Sequence, residues 1–122
     1  MFVSVLIGYT IHNLGCQKPI VYFSDSKNLY FNWFLVIVMA PIAEEVFWRG
    51  YALDQFKKIF NVYTALLLSA LLYSLAHVPA YGIYSVQMVA SGLILGFWRI
   101  RYRALLPLII AHALKNALFI LT

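Results

Sequence analysis

Two adjacent glutamates, Glu44 and Glu45, sit inside the apolar run FNWFLVIVMAPIAEEVFWRGYAL, whose only other charge is Arg49. They are the only glutamates among 122 residues. A carboxylate in hydrocarbon is expensive unless it is paired or lines a wet cavity. The fold therefore has to give both side chains a protein-lined interior. Placing all of a chain's glutamate there, twice in a row, points to chemistry rather than to surface solvation.

The rest of the chain makes hydrocarbon the relevant solvent. Hydrophobic residues account for 64% and charged residues for 11%, against roughly 25% charged in a soluble domain. After a polar break at residues 17–28, four apolar segments follow, over about 29–56, 62–78, 82–100 and 104–122. At about 20 residues per crossing, the expectation is an all-α, multi-pass transmembrane helix bundle with about four membrane-spanning helices. Residues 1–16 read as a short apolar helix without the basic start of a signal peptide. Residues 1–28 form an N-terminal apolar segment and polar loop, and residues 29–122 the transmembrane core. The single Cys16 allows no internal disulfide. His12 has no partner pattern and receives no function.

The net charge of +5 does not point to nucleic acid, because the basic residues are not gathered on one amphipathic element. They sit in the breaks. Lys57, Lys58, Arg99, Arg101 and Arg103 fall in two breaks that share one side if all four segments cross. Only Lys18 and Lys27, offset by Asp25, lie on the other. That asymmetry places the loops at 57–61 and 99–103 in the cytoplasm and the chain in the cell membrane. Trp33, Tyr30, Tyr81, Tyr84, Trp98 and Tyr102 near segment ends read as interfacial aromatics. Gly92 and Gly96, four apart, read as a close helix-packing face.

Polar residues inside the segments come in stacked pairs. Glu45 and Arg49, Tyr73 and His77, and His112 and Asn116 are each four apart, so each pair shares a helix face. Counted from the flanking breaks at ~1.5 Å per residue, Glu44 lies about 20 Å deep, His77 about 22 Å and His112 about 14 Å. Convergence in one pocket is the expectation. A carboxylate there can act as general base toward water. Two imidazoles and an amide opposite can donate to the oxyanion of a tetrahedral intermediate. No serine is placed for a triad. A rival within the same chemistry is zinc held by Glu44, His77 and His112, a two-histidine, one-glutamate sphere, although the local HExxH motif is absent. The bland readings are a buried Glu45–Arg49 ion pair that sets register, and His112 with Asn116 as interhelical glue.

In order, Glu44-Glu45-Val-Phe-Trp-Arg49, Tyr73-Ser-Leu-Ala-His77 and His112-Ala-Leu-Lys-Asn116 resemble the EExxxR, FxxxH and HxxxN motifs of the CAAX prenyl endopeptidase and bacteriocin-processing (Abi) family of intramembrane proteases. The resemblance spans residues 40–122. It implies that Glu44 activates water with help from His77, that His112 and Asn116 stabilise the oxyanion, and that Glu45 and Arg49 support the site. It implies no bound metal or other cofactor, and a membrane-embedded or lipid-anchored peptide as partner. Tyr73 stands where the family usually has Phe. Members typically carry more helices before the first motif, so the chain reads as a minimal core or a piece of a longer protein. Two non-proteolytic alternatives are a bacteriocin self-immunity factor that binds a membrane partner without cleaving it, and a proton or ion pathway through the same residues.

Overall fold

The computed structural model describes residues 28–121. The expected N-terminal helix and nearly all of the polar break lie outside them. Four helical stretches follow: α1 Leu29–Ile59, α2 Val62–Tyr81, α3 Val86–Tyr102 and α4 Leu106–Leu121. A 3-10 turn, Gly82–Ser85, joins α2 to α3. No strand occurs among the described residues.

α1 is not a uniform helix. Two π-helical stretches, Leu35–Met39 and Val46–Ala52, bracket the α-helical turn Ala40–Glu45. Buried Pro41 opens that turn. Proline lacks an N–H and its ring crowds the carbonyl four residues back, so widening just upstream accommodates it. The second π stretch carries Arg49, and such bulges are frequent where a helix aims side chains at a functional site.

α2 starts at Asn61, whose Oδ1 accepts from the Thr64 N–H at 3.0 Å, an N-cap. The sequence breaks at Pro79, but the helix carries that proline in its last turn and ends at Gly82. There φ is 52° and ψ −131°, a conformation open to glycine and strained for other residues. The chain reverses there, so α2 and α3 run antiparallel. Ser74 Oγ donates to the Ser85 carbonyl at 2.8 Å. Farther along, a Cβ on Gly92 would lie 2.9 Å from the Ala70 Cα, and one on Gly96 2.5 Å from Leu66 Cδ1. The glycine pair is a packing face, as its spacing implied.

α4 packs antiparallel to α1, with Asn116 Nδ2 donating to the Val36 carbonyl at 2.9 Å. At the other end of the bundle, Arg99 Nε donates to the Arg49 carbonyl at 3.2 Å and Nη2 lies 3.7 Å from Asp54 Oδ2. Arg99 also donates to the Arg103 carbonyl, where α3 ends in a left-handed residue. These contacts bring the two basic breaks to one end of the bundle.

Burial is inverted relative to a water-soluble domain. Glu45, Arg49, Gln87, Ser91, His112 and Lys115 are buried, while Phe31, Phe47, Leu75, Ile83, Phe97 and Leu106 are exposed. Large exposed apolar area beside buried polar groups is the informative departure from soluble proteins. Leu29–Ile59 and the Val62–Tyr102 run, bent back at Gly82, are long and apolar enough to cross a membrane. Only 11% and 22% of their apolar windows is buried, unlike the core helices of a soluble protein. Leu106–Ile120 is apolar but shorter. By length and composition, two stretches of the described residues are of span length, against the expected count of about four.

Gly92→Ala is expected to lower stability by ~1–3 kcal/mol, because backbone rather than a flexible side chain stands in the way. Gly96→Ala should cost less, since Leu66 Cδ1 can turn aside. Thermal unfolding in detergent compares the two, and equal midpoints would contradict the close contact.

Candidate active site

Glu45 is the best-buried charge of the cluster, at 0% exposure, with Arg49 at 1%. The i,i+4 spacing expected to pair them does so, with Arg49 Nη1 donating to Glu45 Oε1 at 3.0 Å. The same oxygen accepts from His112 Nδ1 at 2.8 Å. A carboxylate only accepts, so Nδ1 carries the proton and Nε2 is the nitrogen turned toward the rest of the site. One carboxylate oxygen thereby locks two helices and one imidazole orientation.

His77 is anchored in the same manner. Its Nδ1 donates to the Tyr73 carbonyl at 2.8 Å, one turn back on α2, which also leaves Nε2 facing inward. The two Nε2 atoms converge on Glu44, with Oε2 at 3.5 Å from His77 and 3.8 Å from His112. The Glu44 side chain retains 26% of its exposure, so it borders the outside of the cluster while Glu45 does not. Among the described residues, Glu44 Oε2 is a buried oxygen that forms no hydrogen bond. The adjacent glutamates therefore point to different surroundings, as expected from Arg49 lying on the face of Glu45 alone.

Tyr73 fills the space between these groups. Its ring lies 4.4 Å under the Arg49 guanidinium, a cation–π contact, and packs edge-on against His77 at 4.5 Å between centroids. Its hydroxyl is 3.4 Å from His112 Nε2, so the atom by which Tyr differs from Phe reaches the cluster. Ser74 is occupied by the α2–α3 turn and takes no part.

The structure thus brings Glu44, Glu45, Arg49, His77 and His112 together. Asn116 has a partner on α1 as well. It lies one turn beyond His112 and donates one N–H to the Val36 carbonyl. Sequence reasoning missed Lys115, which is buried beside His112 in the wall of a small cavity. A lysine inside an apolar helix was a visible signal. The zinc set weighed from the sequence, Glu44, His77 and His112, is in place as neighbours. Among the described residues, however, no three His, Cys, Asp or Glu side chains form a group with metal-holding geometry.

Compared with known proteins, residues 26–118 match the family described as type II CAAX prenyl endopeptidase Rce1-like. The chain belongs to this family. The match takes in all three motifs, from Glu44 to Asn116. The family is one of membrane proteases, in keeping with the apolar exterior and the span-length helices. Neither the curated proteins nor the solved structures contain a match to the chain.

Removing Arg49 leaves the buried Glu45 charge without its cation. Arg49→Met is expected to destabilise the protein by ~3–5 kcal/mol, and the Glu45→Met, Arg49→Met double variant to regain much of that loss. Unfolding midpoints of the three variants test this; strictly additive losses would show that the pair is not coupled.

Proposed function

We propose that the chain is an intramembrane endopeptidase that hydrolyses a peptide bond of a membrane-embedded or lipid-anchored substrate, using water activated by Glu44 and no bound metal. The observation that carries the reading is Glu44 Oε2 facing two imidazole Nε2 atoms at 3.5 and 3.8 Å, with both rings held by their far nitrogens. In this reading α1 to α4 all cross the membrane of the cell. The breaks at 57–61 and 99–103 face the cytoplasm, as their basic residues favour.

The proposed steps use these positions. Water held between Glu44 and His77 gives a proton to the Glu44 carboxylate as its oxygen attacks the scissile carbonyl carbon. The carbonyl electrons move onto oxygen, and His112 Nε2 faces that oxyanion. Because Nδ1–H is committed to Glu45, His112 donates there only when doubly protonated. Glu45 and Arg49 keep the ring in place for that step. Asn116 holds Val36 with one N–H and has a second to offer the oxyanion. The C–N bond then breaks, and the proton taken by Glu44 passes to the leaving amine.

The test is mass spectrometry of prenylated and unprenylated carboxy-terminal peptides incubated with the purified protein in nanodiscs. One internal bond should be cut, with the rate unchanged by a strong chelator. His112→Ala should lower kcat by about 100-fold or more. A folded protein that cuts none of these peptides yet protects cells from a membrane-active peptide would return the chain to the immunity-factor reading. Activity lost to chelator and restored by zinc would replace the metal-free mechanism.

A further inference from the structure

Lys115 is a second buried cation, and the mechanism above does not use it. It retains 7% exposure. Its Nζ contacts only neutral acceptors, Ser91 Oγ at 3.2 Å and Met88 Sδ at 3.3 Å, both on α3. Among the described residues no carboxylate lies within salt-bridge distance of it; Glu45 is taken by Arg49 and His112, and Glu44 faces the two imidazoles. A thioether is a weak acceptor and a hydroxyl a neutral one. An ammonium buried with such partners keeps most of its electrostatic capacity for an anion.

The ammonium also has a place to receive one. Lys115 lines a pocket with Tyr81, Gln87 and Asn116 as its other polar members, while Val36, Met88 and Phe119 supply apolar walls. Lys115 is three residues past His112, so pocket and imidazole are about one helical turn apart. Apolar walls with a few convergent polar groups are the usual make-up of a small ligand site. One cation with the Gln87 amide and the Tyr81 hydroxyl matches a single carboxylate, which accepts several hydrogen bonds and carries one charge.

We propose that this small pocket is a carboxylate-binding subsite, in which Lys115 takes the terminal carboxylate of the peptide. The assignment rests on the proteolytic reading and deepens it. Anchoring the chain end about one turn from His112 would fix which bond reaches Glu44, a few residues upstream. Lys115 is then a positioning residue for substrate register rather than a participant in bond cleavage.

Binding of small carboxylates tests the subsite without requiring turnover. The full chain in detergent is titrated with N-acetyl-leucine, with N-acetyl-leucinamide and with N-acetyl-glutamic acid α-amide, following the unfolding midpoint as ligand is added. The wild type should bind N-acetyl-leucine about tenfold more tightly than its amide. Lys115→Met should bring that ratio to about one, and Lys115→Arg, which keeps the charge, should preserve much of it. Glu44→Gln should retain the preference, so a failed subsite is distinguishable from a failed proteolytic reading. Equal affinity for acid and amide in the wild type, or an unchanged preference in a folded Lys115→Met protein, would overturn the proposal. Equal binding of the α-amide, whose carboxylate is on the side chain, would overturn the terminal assignment and give the subsite to acidic side chains.

Discussion

Glu45 Oε1 holds the interior together. It accepts from Arg49 on its own helix and from His112 across the bundle, at 3.0 and 2.8 Å. Arg49 in turn lies over the Tyr73 ring, and the Tyr73 carbonyl anchors His77. α1, α2 and α4 are therefore joined through one polar chain that starts at a single oxygen. In water such a network would add little. In a protein whose outer surface is mostly apolar, each link is strong and each missing partner costly. That difference explains how a few polar links hold two imidazoles in fixed orientations.

The division of labour between the adjacent glutamates follows. Successive residues on a helix are about 100° apart, so only one of two neighbours can pair with Arg49 one turn on. Glu45 does, through Oε1, which accepts from both Arg49 and His112. Glu44 is rotated away from Arg49, partly exposed, and aimed at the Nε2 atoms of His77 and His112. The doublet places a fixed carboxylate and a free one in the same turn, without a loop between them.

Much of this was legible in the sequence because it depends on spacing. The i,i+4 pairs fixed the faces of Glu45–Arg49, Tyr73–His77 and His112–Asn116, and Gly92 with Gly96 marked the packing face of α3. Helix ends were less readable. Pro79 looked like a terminus, whereas Gly82, with its positive φ, makes the turn. The π stretches in α1 left no signal beyond Pro41, since they answer to packing. The Asn116 bond to the Val36 carbonyl is not readable either, because a helix-face argument gives direction and not reach. Lys115 was overlooked although a lysine in an apolar helix is as costly as a glutamate there. The count of crossings also stayed open, since α3 and α4 are close to the shortest length that can span a bilayer.

The central claim is that Glu44 is the working carboxylate and Glu45 the supporting one. The most direct measurement takes Glu44→Gln and Glu45→Gln side by side, recording peptide cleavage rate and unfolding midpoint on the same preparations. Glu44→Gln should lose about 100- to 10,000-fold in rate with a midpoint close to wild type, while Glu45→Gln should lower the midpoint and the rate together. A Glu44→Gln protein that still cleaves at the wild-type rate, or a Glu45→Gln protein that is as stable as wild type but inactive, would contradict the assignment.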